Sequence, residues 1–222
     1  MIETLFPNVR GPQLWQATLD TVYMTAISGL ATFVLGLALG TLLFLSSPGQ
    51  ALANRALHLV VSVTCNVFRS IPFLILLVLL IPFTKAVVGT ILGVNAALPA
   101  LIIGAAPFYA RLVEIAFREV DRGVVEATRA MGGGVWTLVS RVLLPESSPA
   151  LVSGLTVTLI ALVSYTAMAG AIGAGGLGNL AYLEGFQRNN PDVTLAATLV
   201  ILLVVFAIQF VGDTLTRLLD KR

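Results

Sequence analysis

The feature that most constrains this chain is its series of long apolar stretches, which few charges interrupt. Hydrophobic residues make up 57% of its 222 residues, and charged residues only 11%. A soluble domain carries about 25% charged residues, so most of this surface is adapted to lipid. A membrane-spanning helix needs about 20 apolar residues. The sequence therefore predicts an all-α integral membrane protein, with residues 1–222 forming one transmembrane domain.

Five stretches are long and apolar enough to span a bilayer. Their approximate predicted bounds are 17–45, 57–81, 96–117, 149–172 and 193–211. In the first span, Gly36 and Gly40 form a small-xxx-small pattern that lets another helix approach closely, although glycine is also frequent in membrane helices generally. In the second span, Pro72 lacks a backbone N–H and predicts a kink. Pro82 is expected to end that span, and residues 85–95 to form a loop.

Charged residues inside the predicted spans are few. Arg69 lies about 18 Å along the second span at 1.5 Å per residue. It faces the bundle interior, a wet cavity or a partner chain, or else the span begins later and the side chain reaches the interface. Arg111, Glu114 and Arg118 share one face of the third span. These three residues predict an interfacial ion network rather than a ligand site.

Residues 118–148 form the most polar internal segment, which we call the elbow. It holds four arginines and four acids between Arg118 and Glu146. Apolar residues recur in it at helical spacing, in two sets: Val124, Ala127, Thr128 and Met131, then Val135, Leu138, Val139 and Val142. Three glycines at 132–134 separate the sets. The pattern predicts two short helices, each with one apolar face that is buried in a partner or against the bundle, the second ending at Leu144–Pro145.

The basic residues predict an orientation. Five spans place the termini on opposite sides of the membrane. Eight of the 13 basic residues then fall on one side: Arg55, Arg118, Arg122, Arg129, Arg141, Arg217, Lys221 and Arg222. Three fall on the other side, namely Arg10, Lys85 and Arg188. Since cytoplasmic loops carry excess Lys and Arg, the N-terminus is predicted outside, with the elbow and the C-terminus in the cytoplasm. The pI near 9.0 therefore does not indicate nucleic-acid binding.

The segments around the last two spans carry no recognisable catalytic motif. The glycine-rich residues 170–178 follow no strand and are not closed by Lys-Ser/Thr, so they are not a phosphate loop. They predict a helix end and a close-packed turn. Residues 181–192 are expected to form a polar loop, and 213–222 a charged tail.

Residue types needed for chemistry are scarce. The chain has one His and one Cys, and its spans contain no pair of acids. An enzyme, a metal site or an ion-coupled carrier needs converging groups of these kinds. The chain also has no Gly-x4-Gly-Lys-Ser/Thr sequence for binding ATP. If it transports a solute, another protein supplies the energy from the cytoplasmic side.

The elbow carries a recognisable motif. Glu126-Ala127-Thr128, then Gly132, then Val142 to Pro145 resembles the Glu-Ala-Ala, Gly, Ile-x-Leu-Pro loop of bacterial ABC-importer permeases. Thr128 stands where that motif most often has Ala, and Val142 where it has Ile. Nearly the whole chain is similar to methionine-importer permeases, as seen at residues 69–73, 104–111, 130–132, 165–168, 173–178 and 208–213.

The resemblance implies a multi-pass permease of the bacterial inner membrane that imports methionine, as the L or D form. It implies a homodimer, two cytoplasmic ATPase subunits that bind ATP and Mg, and an external methionine-binding lipoprotein. No cofactor, metal or catalytic residue is expected in the chain itself. The residues implied to contact the ATPase or shape that contact are Glu126, Ala127, Thr128, Gly132, Leu144 and Pro145.

The substrate path is predicted less directly. The candidates for the path or its gate are Tyr165, Met168 and Arg69. Met168 is a candidate for the gate because its unbranched thioether can pack in a closed pore and repack when the pore opens. Met168 is alternatively ordinary bundle filling. Two alternative functions stay open: a permease for another amino acid or small polar solute, and a self-contained channel or ion-coupled carrier.

Overall fold

The computed structural model describes residues 7–220, and every regular element in that part of the chain is helical. The α-helices are α1 (Gly11–Ser46), α2 (Arg55–Ser70), α3 (Phe73–Leu79), α4 (Ile81–Val88), α5 (Val94–Arg118), α6 (Arg122–Ala130), α7 (Val135–Leu138), α8 (Leu144–Ala169), α9 (Gly176–Asn179) and α10 (Pro191–Leu219). Three π-helical segments join some of them: Val139–Leu143, Gly170–Ala174 and Leu180–Gln187.

Four helical segments are long and apolar enough to cross a membrane: α1, α5, the segment Val135–Ala174 that contains α8, and α10. The fifth candidate is α2 together with α3, and these two helices are bent by 106° at their junction. The predicted fold class, an all-helical membrane protein with five spans and an internal elbow, is therefore confirmed, with the second span broken.

The directions of the helices show how many times the chain crosses. Gly36 of α1 lies against Tyr109 of α5, and Gly40 lies against Ala110 and Val113. Because residues further along α1 meet residues further along α5, the two helices are parallel. The segment between them must then return across the bundle once. This contact also confirms that the small-xxx-small pattern marks a close helix approach, since a Cβ on Gly40 would lie 2.5 Å from the Ala110 carbonyl oxygen.

The last helix runs in the same direction as α1. Near its start, Val193 packs in one apolar cluster with Ala17 of α1. Near its end, Gly212 lies against Thr156 in the first half of α8. The elbow and the end of α10 therefore lie at one end of the bundle, and the start of α1 lies at the other.

The span predicted over 57–81 with a kink at Pro72 is divided into two separate helices. The chain leaves helical geometry at Ile71 (φ −76°, ψ 124°) and Pro72 (φ −55°, ψ 132°). Pro72 kinks the chain as predicted, and a residue before proline is pushed to extended geometry, which turns the kink into a break. Pro82 does not end a helix. It lies in the first turn of α4, where a missing N–H costs nothing, so Lys85 is helical and not in a loop.

Three further boundaries differ from the prediction. Leu144–Pro145 does not end a helix: the π-helical turn Val139–Leu143 leads into α8, with Pro145 in the first turn of α8. The predicted polar loop at 181–192 is helical as far as Gln187, and α10 continues through most of the predicted tail to Leu219. Helical backbone satisfies its own hydrogen bonds, which favours it at membrane depth and beside it. Lys221 and Arg222 lie outside the described residues.

The glycine-rich turn after α8 is confirmed. Gly173 (φ 102°) and Gly175 (φ 87°) adopt the left-handed region, which residues with a side chain rarely enter. The turn brings α9 back onto α8, where Gly178 approaches so closely that a Cβ would lie 2.3 Å from the Ala167 Cα. The turn lies at the end of the bundle opposite the elbow.

Candidate functional site

The first elbow helix, α6, has well-defined ends. The Asp121 side chain accepts hydrogen bonds from the N–H groups of Gly123 (2.7 Å) and Val124 (3.3 Å), which caps the helix start. At the other end, the Gly132 N–H donates to the Arg129 carbonyl and the Gly133 N–H to the Thr128 carbonyl, both at 2.9 Å.

These two bonds form a Schellman motif, and Gly132 occupies its left-handed position with φ 79°. Glycine is favoured there because any Cβ would be strained. The three-glycine separation between the elbow helices therefore ends α6 at a fixed point.

The residues that α6 buries within the chain are not mainly those of the predicted apolar stripe. Thr128 of that stripe is buried, but the apolar residue beside it in the core is Val125. Val124 and Met131 are 42% and 81% exposed, and Ala127 is exposed too. Valines at two adjacent positions allow two helical phases with similar apolar spacing. Val125 is the buried valine because it packs with Phe44 and Phe117 at the ends of α1 and α5.

The second half of the elbow packs as predicted. Leu138 is 1% exposed and Val142 is buried, while Val135 and Val139 pack partly against the same cluster. That cluster, which we call the elbow cluster, also contains Phe44 from the end of α1 and other residues, including Val125. The two halves of the elbow are thus fixed to one core.

The elbow cluster joins the elbow to the ends of two spans. Phe44 of α1 meets Phe117 of α5 edge to face, with ring centroids 5.7 Å apart. Leu144 packs against the same cluster, whereas Pro145 is exposed at the start of α8. A force applied to α6 would therefore reach the ends of α1 and α5 and the beginning of α8 through direct packing.

The outer surface of the elbow is partly apolar. Glu126 and Ala127 are exposed on the same helix as Val124 and Met131. Trp136, at the start of α7, is 81% exposed. The sequence analysis missed Trp136, although a tryptophan outside the apolar stripe of a charged loop is a usable signal, since exposed aromatic side chains favour protein interfaces.

Polar contacts also hold the elbow. Arg129 donates through its two Nη atoms to the Gly49 carbonyl (3.3 Å) and to Gln50 Oε1 (3.0 Å) in the loop after α1. The predicted ion network of the third span is present. Glu114, 2% exposed, accepts from Arg118 Nη2 at 2.7 Å and also pairs with Arg111. This network braces the last turns of α5 next to the elbow.

The predicted path residues lie in the other half of the bundle, near the break between α2 and α3. The Tyr165 ring stacks on Phe73 with centroids 4.4 Å apart and planes 4° apart. Arg69 is exposed in the last turn of α2, and it lines a small cavity together with Tyr165 and Phe73. Met168, one turn beyond Tyr165, is 46% exposed and does not line that cavity. The structure thus brings Arg69 and Tyr165 together and leaves Met168 apart from them.

Comparisons with known proteins agree with this architecture. The chain is 61% identical over its full length to the methionine import system permease protein MetP of Bacillus subtilis, all of which is covered. It is 50% identical to the D-methionine transport system permease protein MetI of Escherichia coli K12 over 162 residues, covering 72% of this chain and 75% of MetI. A chain of the MetNI methionine ABC transporter, solved in an inward-facing conformation, superposes with a TM-score of 0.94 at 46% identity, covering 96% of this chain and all of that one.

A more distant structure, an amino acid ABC transporter crystallised with histidines, shares the fold with a TM-score of 0.76 at 20% identity, over 93% of this chain and 94% of that one. The sequence model of one family, described as the binding-protein-dependent transport system inner membrane component, matches residues 36–222. The chain therefore belongs to the family of binding-protein-dependent transport system inner membrane components.

Proposed function

We propose that this chain is the permease subunit of an ATP-driven importer that moves methionine across the bacterial cytoplasmic membrane. The observation that carries the proposal is the full-length 61% identity to a methionine import permease. In this proposal the chain is a transport subunit and not an enzyme. A separate cytoplasmic ATPase binds ATP and Mg, and an external methionine-binding lipoprotein delivers the substrate.

The proposed ATPase contact is the outer surface of the elbow. Val124, Met131 and Trp136 expose apolar area there, and exposed apolar patches mark interaction sites. Glu126 supplies a carboxylate on the same short helix. Since the elbow cluster fixes α6 to the ends of α1 and α5, movement of a docked ATPase would displace whole spans and not merely a loop.

Each of the six predicted coupling residues has a place in this proposal. Glu126 and Ala127 meet the ATPase, Thr128 holds α6 by donating to the Val124 carbonyl (2.8 Å), and Gly132 ends the helix. Leu144 and Pro145, at the start of α8, pass the movement to the span that carries Tyr165 and Met168.

The proposed substrate path lies between two copies of the chain. One face of α8 is exposed along much of its length and mixes polar with apolar residues: Ser153, Val157, Ser164 and Met168. Lipid tails offer no partner for serine hydroxyls, whereas small and polar residues favour contact between membrane helices. A second copy on this face would enclose Met168, with Arg69 and Tyr165 nearby at the broken span.

The orientation follows the charge bias. The elbow and the end of α10 share one end of the bundle, which carries most of the basic residues found outside the spans. The positive-inside rule places that end in the cytoplasm, where an ATPase can reach the elbow. The N-terminus is then outside, on the side of the binding protein.

Transport by the reconstituted complex tests this function. The chain would be co-purified with its ATPase, placed in proteoliposomes with the binding protein, and supplied with labelled methionine with and without ATP. We expect ATP-dependent uptake that unlabelled methionine competes away and other amino acids do not. ATP-driven uptake of another amino acid instead would contradict methionine as the substrate but would still support an ATP-driven importer. Solute flux through the chain alone would contradict the proposal.

A further inference from the structure

A basic crevice lies beside the elbow, and its cationic residues have no role in the function proposed above. It has a volume of about 350 Å³ and lies between α6, the loop after α1 and the end of α5. Its apolar lining includes Phe44, Phe117 and Val125. Its charged lining consists of Arg118, Arg122, Glu126 and Arg129.

The crevice has a net positive charge. Arg122 and Arg129 face a single carboxylate, Glu126. Arg118 shares the Glu114 carboxylate with Arg111, so that group also keeps one uncompensated cation. Each group leaves one positive charge, which favours an anionic ligand.

Guanidinium donors in the crevice remain unused. The Arg129 Nε–H is buried and has no hydrogen-bond partner, although leaving a buried donor unpaired is costly. The Arg122 side chain is exposed and makes no ion pair or hydrogen bond with any residue in the range 7–220. The planar donors of arginine match the oxygens of a phosphate group in pairs.

The crevice lies at the predicted membrane boundary. Phe44 and Phe117 are close to the ends of α1 and α5, where spanning helices emerge from the bilayer. Basic pockets at the cytoplasmic ends of spans bind anionic lipid headgroups.

Most of the crevice lining lies on the face of α6 opposite Val124 and Met131, and only Glu126 belongs both to the crevice and to the proposed ATPase contact. Residues 122, 125, 126 and 129 line the crevice at i, i+3, i+4 and i+7, which is one helix face. Val124 and Met131 lie on the opposite side of the helix, about 100° apart per residue in sequence. A lipid and an ATPase could therefore be bound at the same time.

We propose that the crevice binds the phosphodiester of an anionic phospholipid from the cytoplasmic leaflet. The phosphate accepts from Arg122 and lies beside the positive charge of Arg129, and so links α6 to the membrane surface beside α1 and α5. The inference rests on the orientation proposed above, but not on the identity of the transported solute.

Lipid binding to the intact complex tests the proposal. The permease purified with its ATPase would be delipidated and titrated with phosphatidylglycerol or phosphatidylcholine, and bound lipid counted by native mass spectrometry. Arg122→Gln removes the charged donor group of a side chain that makes no ion pair or hydrogen bond with residues 7–220. Arg141→Gln is the matched control, because Arg141 is also exposed in the elbow but lies outside the crevice.

We expect preferential binding of phosphatidylglycerol and a roughly tenfold loss of affinity in Arg122→Gln, the scale of one charge-assisted hydrogen bond, with Arg141→Gln unchanged. Equal losses in both variants would indicate general surface charge and overturn the proposal. The proposal would also be overturned if inorganic phosphate saturated the crevice and phosphatidylglycerol bound no better than phosphatidylcholine. It would be overturned too if no lipid bound to the ATPase-bound complex. Because no transport is measured, a different solute would leave these outcomes unaffected.

Discussion

The elbow and the broken span differ in whether a single copy of the chain buries their key side chains. At the elbow, Val125 and Leu138 are buried within the chain, and the exposed surface is a short, fixed helix. At the broken span, Arg69 and Met168 remain exposed in a region that should lie within the bilayer. In the function proposed above, the first region is complete within one chain and presents its surface to another protein. The second is half of a path that a second copy completes.

The largest loss of stability is expected from a substitution in the elbow cluster. Leu138→Ala removes a side chain that is 1% exposed in the elbow cluster, and such truncations cost about 2–5 kcal/mol of unfolding free energy. We expect a clear fall in the melting temperature of the purified permease. Trp136→Ala is the control on the same helix, with an expected change within about 0.5 kcal/mol because Trp136 is exposed. Equal losses would show that Trp136 is packed within the chain.

An intermediate effect is expected where the first elbow helix ends. Gly132→Ala places a Cβ at φ 79°, which costs about 1–2 kcal/mol. Gly134→Ala changes a neighbouring glycine that has φ −73° and open space around it, so stability should hardly change. Thermal unfolding of both variants measures the difference. Identical curves would mean that the Schellman motif does not fix the elbow.

The smallest effect on stability is expected at the broken span. Met168→Ala should change the unfolding free energy by less than about 0.5 kcal/mol in the monomeric permease, as for other surface substitutions. It should instead raise ATP-independent leakage of methionine from proteoliposomes. Leu203→Ala on the exposed face of α10 is the control and should change neither. If vesicles with the Met168→Ala permease leak no more methionine than vesicles with the original permease, Met168 only fills space in the bundle, the alternative that the sequence left open.

The same comparison explains how much could be predicted from the sequence. The spans follow from apolar length alone, and the fold class follows from them. The second stripe of the elbow has a single apolar phase, so Leu138 and Val142 were placed correctly. In α6, either Val124 or Val125 could be buried in the core at helical spacing. Which of the two is buried depends on the positions of Phe44 and Phe117. Local spacing carries no information about those distant residues.

The broken span shows a second limit. Pro72 predicted a kink, but its size of 106° depends on what packs around it. Tyr165 stacks on Phe73, a contact between positions far apart in sequence that no local pattern contains. The proline at 82 could end one helix or begin another, because it is acceptable only in the first turn. Here it begins one.

The central claim is that the elbow couples the spans to an ATPase, and the ratio of methionine imported to ATP hydrolysed tests it most directly. The ratio would be measured for the reconstituted complex with Glu126→Ala, beside Glu119→Ala as a second acid of the same segment. The account predicts that Glu126→Ala still assembles and binds ATP but imports little methionine per ATP, with Glu119→Ala near the original ratio. An unchanged ratio in an intact Glu126→Ala complex would contradict the claim.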